Sequence, residues 1–143
     1  MGRERASSAR RWKFCPIVTR LKVPAQPSSA AVIRQRISAD LSRAGVPESV
    51  VDDAVLVATE LLSNALRHAR ALEDDHLDVS WAVEHGAVSI TVTDGGGRNQ
   101  PHVRHPGPAD TNGRGLSIVE TLADEWGVDE GDSTATVWAR LRA

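Results

Sequence analysis

In the stretch TELLSNALRHA, residues 59 to 69, Glu60, Asn64 and His68 stand four residues apart inside an apolar helical pattern. Steps of four advance a side chain by only about 40° around a helix, so the three form one slowly winding stripe. A helix that merely fills a core has no use for a carboxylate, an amide and an imidazole in one line. Asn inside a helix costs up to ~0.7 kcal/mol in propensity, and a polar group on a semi-buried face costs more unless something bonds it. The stripe asks for a polar partner, although it would also suit the border of an amphipathic face.

Two further places could do chemistry. Asp94 is followed directly by Gly95, Gly96 and Gly97, so a carboxylate stands where the backbone carries no side chains to obstruct a flat ligand. A turn would use the same residues. Later, Gly113-Arg114-Gly115-Leu116 leads into a helical pattern, and a glycine-rich helix entry offers bare N–H groups to an anion such as phosphate. The commoner phosphate signatures do not apply. There is no G-x-x-x-x-G-K-[ST], and GRGLSI has neither the third glycine nor the preceding strand of a dinucleotide-binding unit. No G-x-S-x-G elbow or zinc-ligand spacing occurs.

The elements that must hold these residues follow from periodicity. Residues 14–23 read as a strand with Ile17, Leu21 and Val23 on one face, and Pro16 suggests an edge position. Val32, Ile33, Ile37 and Leu41 recur at helical spacing over 29–44. After AGVP a longer helix begins near Pro47 and runs to about Arg70. LDVSWAVE and AVSITVTD alternate and are joined by Glu84-His85-Gly86, a strong hairpin signal. The glycine- and proline-rich stretch from 95 to 115 suits no regular element, and so long a loop in a compact domain is usually functional. LSIVETLADEWG, 116–127, reads as a third helix with Ile118, Val119, Leu122 and Trp126 inward. TATVWARL, 134–141, reads as a closing strand. The sum is an α+β two-layer sandwich, helices on one face of a mostly antiparallel sheet.

Bulk properties bound the rest. At 143 residues the chain has the size of one domain, read as 14–143 behind a basic mobile tail, 1–13. Its 41% hydrophobic and 25% charged residues and net charge of -2 lack the basic excess of a nucleic-acid binder. No apolar run is long enough for a membrane span, the arginine-rich start lacks a secretory core, and the single Cys15 fits a reducing compartment. The expectation is a cytoplasmic protein with no direct nucleic acid or membrane partner.

Taken in order, ExxxNAxxHA on a helix, VTDGGG after a strand, a loop, GRGL at a helix start and a closing TVWARL strand resemble the Bergerat-fold ATPase superfamily of gyrase, histidine kinases and the MutL repair proteins. More closely they resemble its anti-sigma factor serine/threonine kinase branch of actinomycete type, over about residues 14–142. The resemblance implies a Bergerat ATP-binding fold with a mixed, mostly antiparallel sheet, and ATP or ADP with Mg²⁺ as cofactors. It makes Asn64 the metal ligand through its amide oxygen and Glu60 the catalytic carboxylate that orients or deprotonates the attacking hydroxyl or water. Asp94 becomes the adenine reader: a carboxylate only accepts hydrogen bonds, which suits the exocyclic amine of adenine and not O6 of guanine. Gly96 lets the base approach. The next family glycine falls at Arg98, a departure. Gly113, Gly115 and Leu116 match the lid motif at the phosphates, where Arg114 adds charge or is simply solvated. His68 caps the site or packs at the helix end. Thr136 matches the last-strand threonine that supports the adenine end, with Thr134 as rival, and residues 97–112 match the ATP lid.

The branch further implies a sigma factor and an antagonist protein as partners, the antagonist being phosphorylated, and a homodimer through the first strand and helix. The alternative is a nucleotide-sensing partner-switching module without appreciable kinase activity. A histidine kinase catalytic domain is disfavoured, because no helix with a phosphoacceptor histidine precedes the ATP-binding part.

Overall fold

A computed structural model describes residues 17–68, 75–95 and 114–142. The basic tail, Phe14 to Pro16 and the loop read as a lid lie outside the described residues. The elements in order are β1 (Ile17–Pro24), α1 (Ser29–Arg43), α2 (Glu48–His68), β2 (His76–Glu84), β3 (Ala87–Asp94), α3 (Arg114–Leu122), β4 (Glu125–Glu130) and β5 (Ala135–Arg142). The strands form one sheet in the order β1-β2-β3-β5-β4. Every pairing among the described residues is antiparallel, so the sheet lacks the parallel component that "mixed" would need.

Local chemistry sets the boundaries. β1 ends at Pro24, whose carbonyl accepts a hydrogen bond from Ser29 Oγ at 2.6 Å, tying the start of α1 to the strand end. α1 closes on Gly45, with φ at +88°. Gly45 N–H donates to Ser42 O and Val46 N–H to Leu41 O, the paired bonds of a Schellman cap, and buried Val46 and Leu41 supply its apolar residues. Pro47 then precedes the first turn of α2, where its missing N–H costs nothing. Between β2 and β3, His85 and Gly86 both have positive φ, 53° and 73°, as a two-residue type I′ hairpin turn requires.

The sheet's inner face carries Leu77, Val79, Trp81 and Val83 of β2, Val88, Ile90 and Val92 of β3, and Val137, Ala139 and Leu141 of β5, all buried. Against it lie Ile33, Ile37 and Leu41 of α1 and Ala54, Val57, Ala58, Leu61, Leu62 and Ala65 of α2. α2 packs on β3 and β5 and lies between α1 and α3. A second polar tie joins the helix layer to the sheet. Asp40 Oδ2 accepts hydrogen bonds from Trp81 Nε1 at 2.9 Å and from Thr19 Oγ1 at 3.0 Å, joining α1 to the register partners Thr19 and Trp81. The outer face is lined with hydroxyls, including the pairs Ser80–Thr91 and Thr93–Thr136.

The third helix departs from the expected 116–127. It ends at Leu122, and residues 125–130 are a strand. Asp124 is the break: its N–H donates to Arg140 O at 2.8 Å, and its Oδ2 accepts Arg142 N–H at 2.7 Å, both in the neighbouring strand. Trp126 therefore faces inward from β4 beside Val128, and neither belongs to a helix. Gly127 between them makes room for Trp138, since a Cβ there would lie 2.8 Å from Cζ2 of the indole.

Candidate functional site

Chain direction brings the candidate residues to one end of the sandwich. β1 and β3 finish where β2 and β5 begin, because Pro24 pairs with His76 and Asp94 with Ala135. α1 starts at this end, anchored by Ser29, and runs away from it. The tight turn at 44–47 sends α2 back, so the C-terminal part of α2, with Asn64, returns toward the end where β2 begins. α3 connects to β4 through Ala123 and Asp124 at the far end of the sheet, where Glu125 pairs with Arg140. The N-terminus of α3 is thus the end of the helix removed from this far end. The first N–H groups of a helix have no partners within it and carry its positive partial charge, a natural place for an anion.

The flanks of α2 can be told apart. Asp52 and Val55 line an open groove with Arg34, Gln35, Ser38, Ala39 and Ser42 of α1. That is the α1 side. Advancing about 100° per residue puts Glu60 and Asn64 on the opposite flank, the α3 side, just outside the buried row of Val57, Leu61 and Ala65. Both are half-buried. They are thus partly withdrawn from water without being closed off from it. His68 ends the helix one turn further on; its side chain is outside the described residues.

Asp94 is the last residue of β3 and is only 4% exposed. The stagger of the antiparallel pairs places it on the inner face, with Val92 and opposite Ala135. Across this end of the sheet the inner face reads Val23, Leu77, Asp94, Ala135, Glu130 from β1 to β4. A buried carboxylate is costly unless it is bonded, and Asp94 is not without interactions of its own. Its oxygens are acceptors only, the type of group that a flat donor-bearing ring can address.

Thr136 does not join this group. It pairs with Thr93, shares a hydroxyl–hydroxyl bond of 2.8 Å with it, and so points to the outer face, away from Asp94. The β5 residue beside Asp94 is Ala135. The alternation of buried Val137, Ala139 and Leu141 was the available signal, since it places 135 inward and 136 outward. Gly96 and Gly113 lie outside the described residues, as do the side chains of Arg114 and Leu116, although the backbone of 114–116, Gly115 included, forms the first turn of α3.

No group of three or more His, Cys, Asp or Glu among the described residues could hold a metal ion by itself. Asn64 could offer Mg²⁺ a single neutral amide oxygen, a donor set that suits the ion only in company with phosphates and water.

Comparison with known proteins identifies the family. Residues 23–141 match the family described as histidine kinase-like ATPase domain. The chain is 31% identical to the serine-protein kinase RsbW of Bacillus subtilis, covering 73% of each protein. It is 30% identical to RsbW of Bacillus licheniformis, covering 82% of this chain and 80% of that one. It is 28% identical to RsbW of Listeria monocytogenes, covering 73% and 74%. In three dimensions it superposes on the crystal structure of the RsbU and RsbW domains of Rv1364c from Mycobacterium tuberculosis, with a TM-score of 0.69 and 22% identity. That match covers 88% of this chain and 32% of the larger one. With its fold, its polar flank on α2 and its buried Asp94 in the expected order, the chain belongs to the histidine kinase-like ATPase domain family.

Proposed function

We propose that the chain is an ATP-binding serine/threonine protein kinase that acts as an anti-sigma factor in the cytoplasm, and that its substrate is an antagonist protein competing with the sigma factor for it. The observation that supports this reading is a buried carboxylate, Asp94, at the end of β3 together with a half-buried Glu60–Asn64 flank on α2. Relatives named as serine-protein kinases support it.

In this reading Asp94 accepts the exocyclic amine of adenine, and the polyphosphate extends toward the N–H groups that open α3. Asn64 offers its amide oxygen to Mg²⁺, which would supply charge neutralisation at the phosphates. Glu60 lies one turn earlier on the same flank and orients the acceptor hydroxyl. The hydroxyl oxygen bonds to the γ-phosphorus, the β,γ-bridging P–O bond breaks, ADP leaves, and the hydroxyl proton passes to the Glu60 carboxylate. Most of the catalysis is positioning and electrostatics, so these few groups suffice.

The test is incubation of the full chain with γ-labelled ATP, Mg²⁺ and the proteins it captures from its native cell. Label on a Ser or Thr of a captured partner is expected. Capture that depends on nucleotide but leaves no label would convert the reading to a nucleotide-sensing partner switch.

A further inference from the structure

We propose that, among the described residues, the base site is left open on its β5–β4 side and accepts adenine nucleotides extended at N6, with Ala135 setting the size limit. The inference rests on the nucleotide reading above and concerns which nucleotides the site takes.

The row of inner-face residues at this end of the sheet is asymmetric about Asp94. On the β2 side stands Leu77, 1% exposed, backed by Val23 at 3%. That side is filled. On the β5 side stands Ala135, half-buried, with a single side-chain carbon, and beyond it Glu130, exposed on the edge strand β4. Inner-face neighbours on adjacent strands have Cβ atoms about 4.5–5.5 Å apart, so whatever sits against Asp94 is within touch of residue 135. Thr136, whose hydroxyl could have narrowed this corner, is turned to the opposite face and engaged with Thr93.

Adenine monoalkylated at N6 keeps one N–H, and one N–H is enough for a carboxylate acceptor. Its substituent must leave the base away from Leu77. The way out passes over Ala135 toward the sheet edge, where the Glu130 carboxylate would also favour a cationic end group.

The experiment is calorimetric titration of the full chain, with Mg²⁺, using ATP, N6-benzyl-ATP and N6-(6-aminohexyl)-ATP. The proteins are the unsubstituted chain, Ala135→Leu and the milder Ala135→Val, each first shown to melt cooperatively. Both extended nucleotides are expected to bind the unsubstituted chain within about tenfold of ATP. Enlarging residue 135 is expected to weaken the extended nucleotides by a further tenfold or more relative to ATP, the order of discrimination that a few methylenes in a pocket provide. The proposal is overturned if the unsubstituted chain binds ATP but neither extended nucleotide. It is equally overturned if both enlarged variants change all three affinities by one common factor. Absence of ATP binding itself would instead sink the nucleotide reading, and this proposal with it.

Discussion

At the scale of single residues, Asp94 and Glu60 make separable demands. Asp94 is a buried acceptor, so its charge matters to whatever donates to it. Asp94→Asn keeps the shape and replaces one carboxylate oxygen by an NH₂ donor facing another donor. Loss of a charge-assisted bond predicts weaker ATP binding by about 1.5–3 kcal/mol, read by calorimetry; an unaltered dissociation constant would remove Asp94 from base recognition. Glu60 is half-buried on the flank of α2 and has no part in holding the nucleotide in our reading. Glu60→Gln should leave ATP affinity within about twofold and lower the phosphotransfer rate on a captured partner by about 10²-fold or more, the usual worth of a positioned base. Normal turnover in that variant would take Glu60 out of the mechanism.

At the scale of elements, the decisive contacts are few. Trp81 is 1% exposed, and its indole N–H has Asp40 as acceptor across the layer boundary. Asp40→Ala would strand that donor and Thr19 Oγ1 together, which predicts a loss of about 1–3 kcal/mol in urea unfolding, followed through tryptophan fluorescence. Gly45 ends α1 at φ +88° with nothing within 4 Å of a built Cβ, so Gly45→Ala tests backbone strain without a clash. A cost of about 1 kcal/mol is expected, and less for Asn, which tolerates the left-handed region; equal stability of all three would show that the cap adds nothing. The same elements show what was legible beforehand. β1, both long helices, the hairpin and β5 could be read because one face of each is predominantly apolar. β4 could not: Val119, Leu122 and Trp126 continue a helical spacing straight through Asp124, and the break there is made by hydrogen bonds to Arg140 and Arg142, residues distant in sequence. Thr136 was misplaced for a related reason. A motif match identifies a strand but not its register, and one residue of slip moves a side chain to the other face.

At the scale of the whole molecule, the proposed site has no single local source. Asn64 comes from the end of α2, Asp94 from the end of β3, and the helix N-terminus from α3, elements that meet only because the chain has folded. An unfolded chain cannot reproduce that juxtaposition, so a nucleotide that binds there stabilises the native state by mass action. At a free ATP concentration near 100 times the dissociation constant the gain is about 2.7 kcal/mol, which for a domain of this size corresponds to a rise in Tm of roughly 10 °C. GTP at the same concentration should give a much smaller rise, because its O6 and the Asp94 carboxylate are both acceptors. Asn64→Ala separates the contributions: it should melt close to the unsubstituted chain without ligand, yet lose the part of the ATP shift that requires Mg²⁺. A magnesium-dependent shift of full size in Asn64→Ala would mean that the metal is held elsewhere. Equal shifts with ATP and GTP would mean that the base is not read by Asp94.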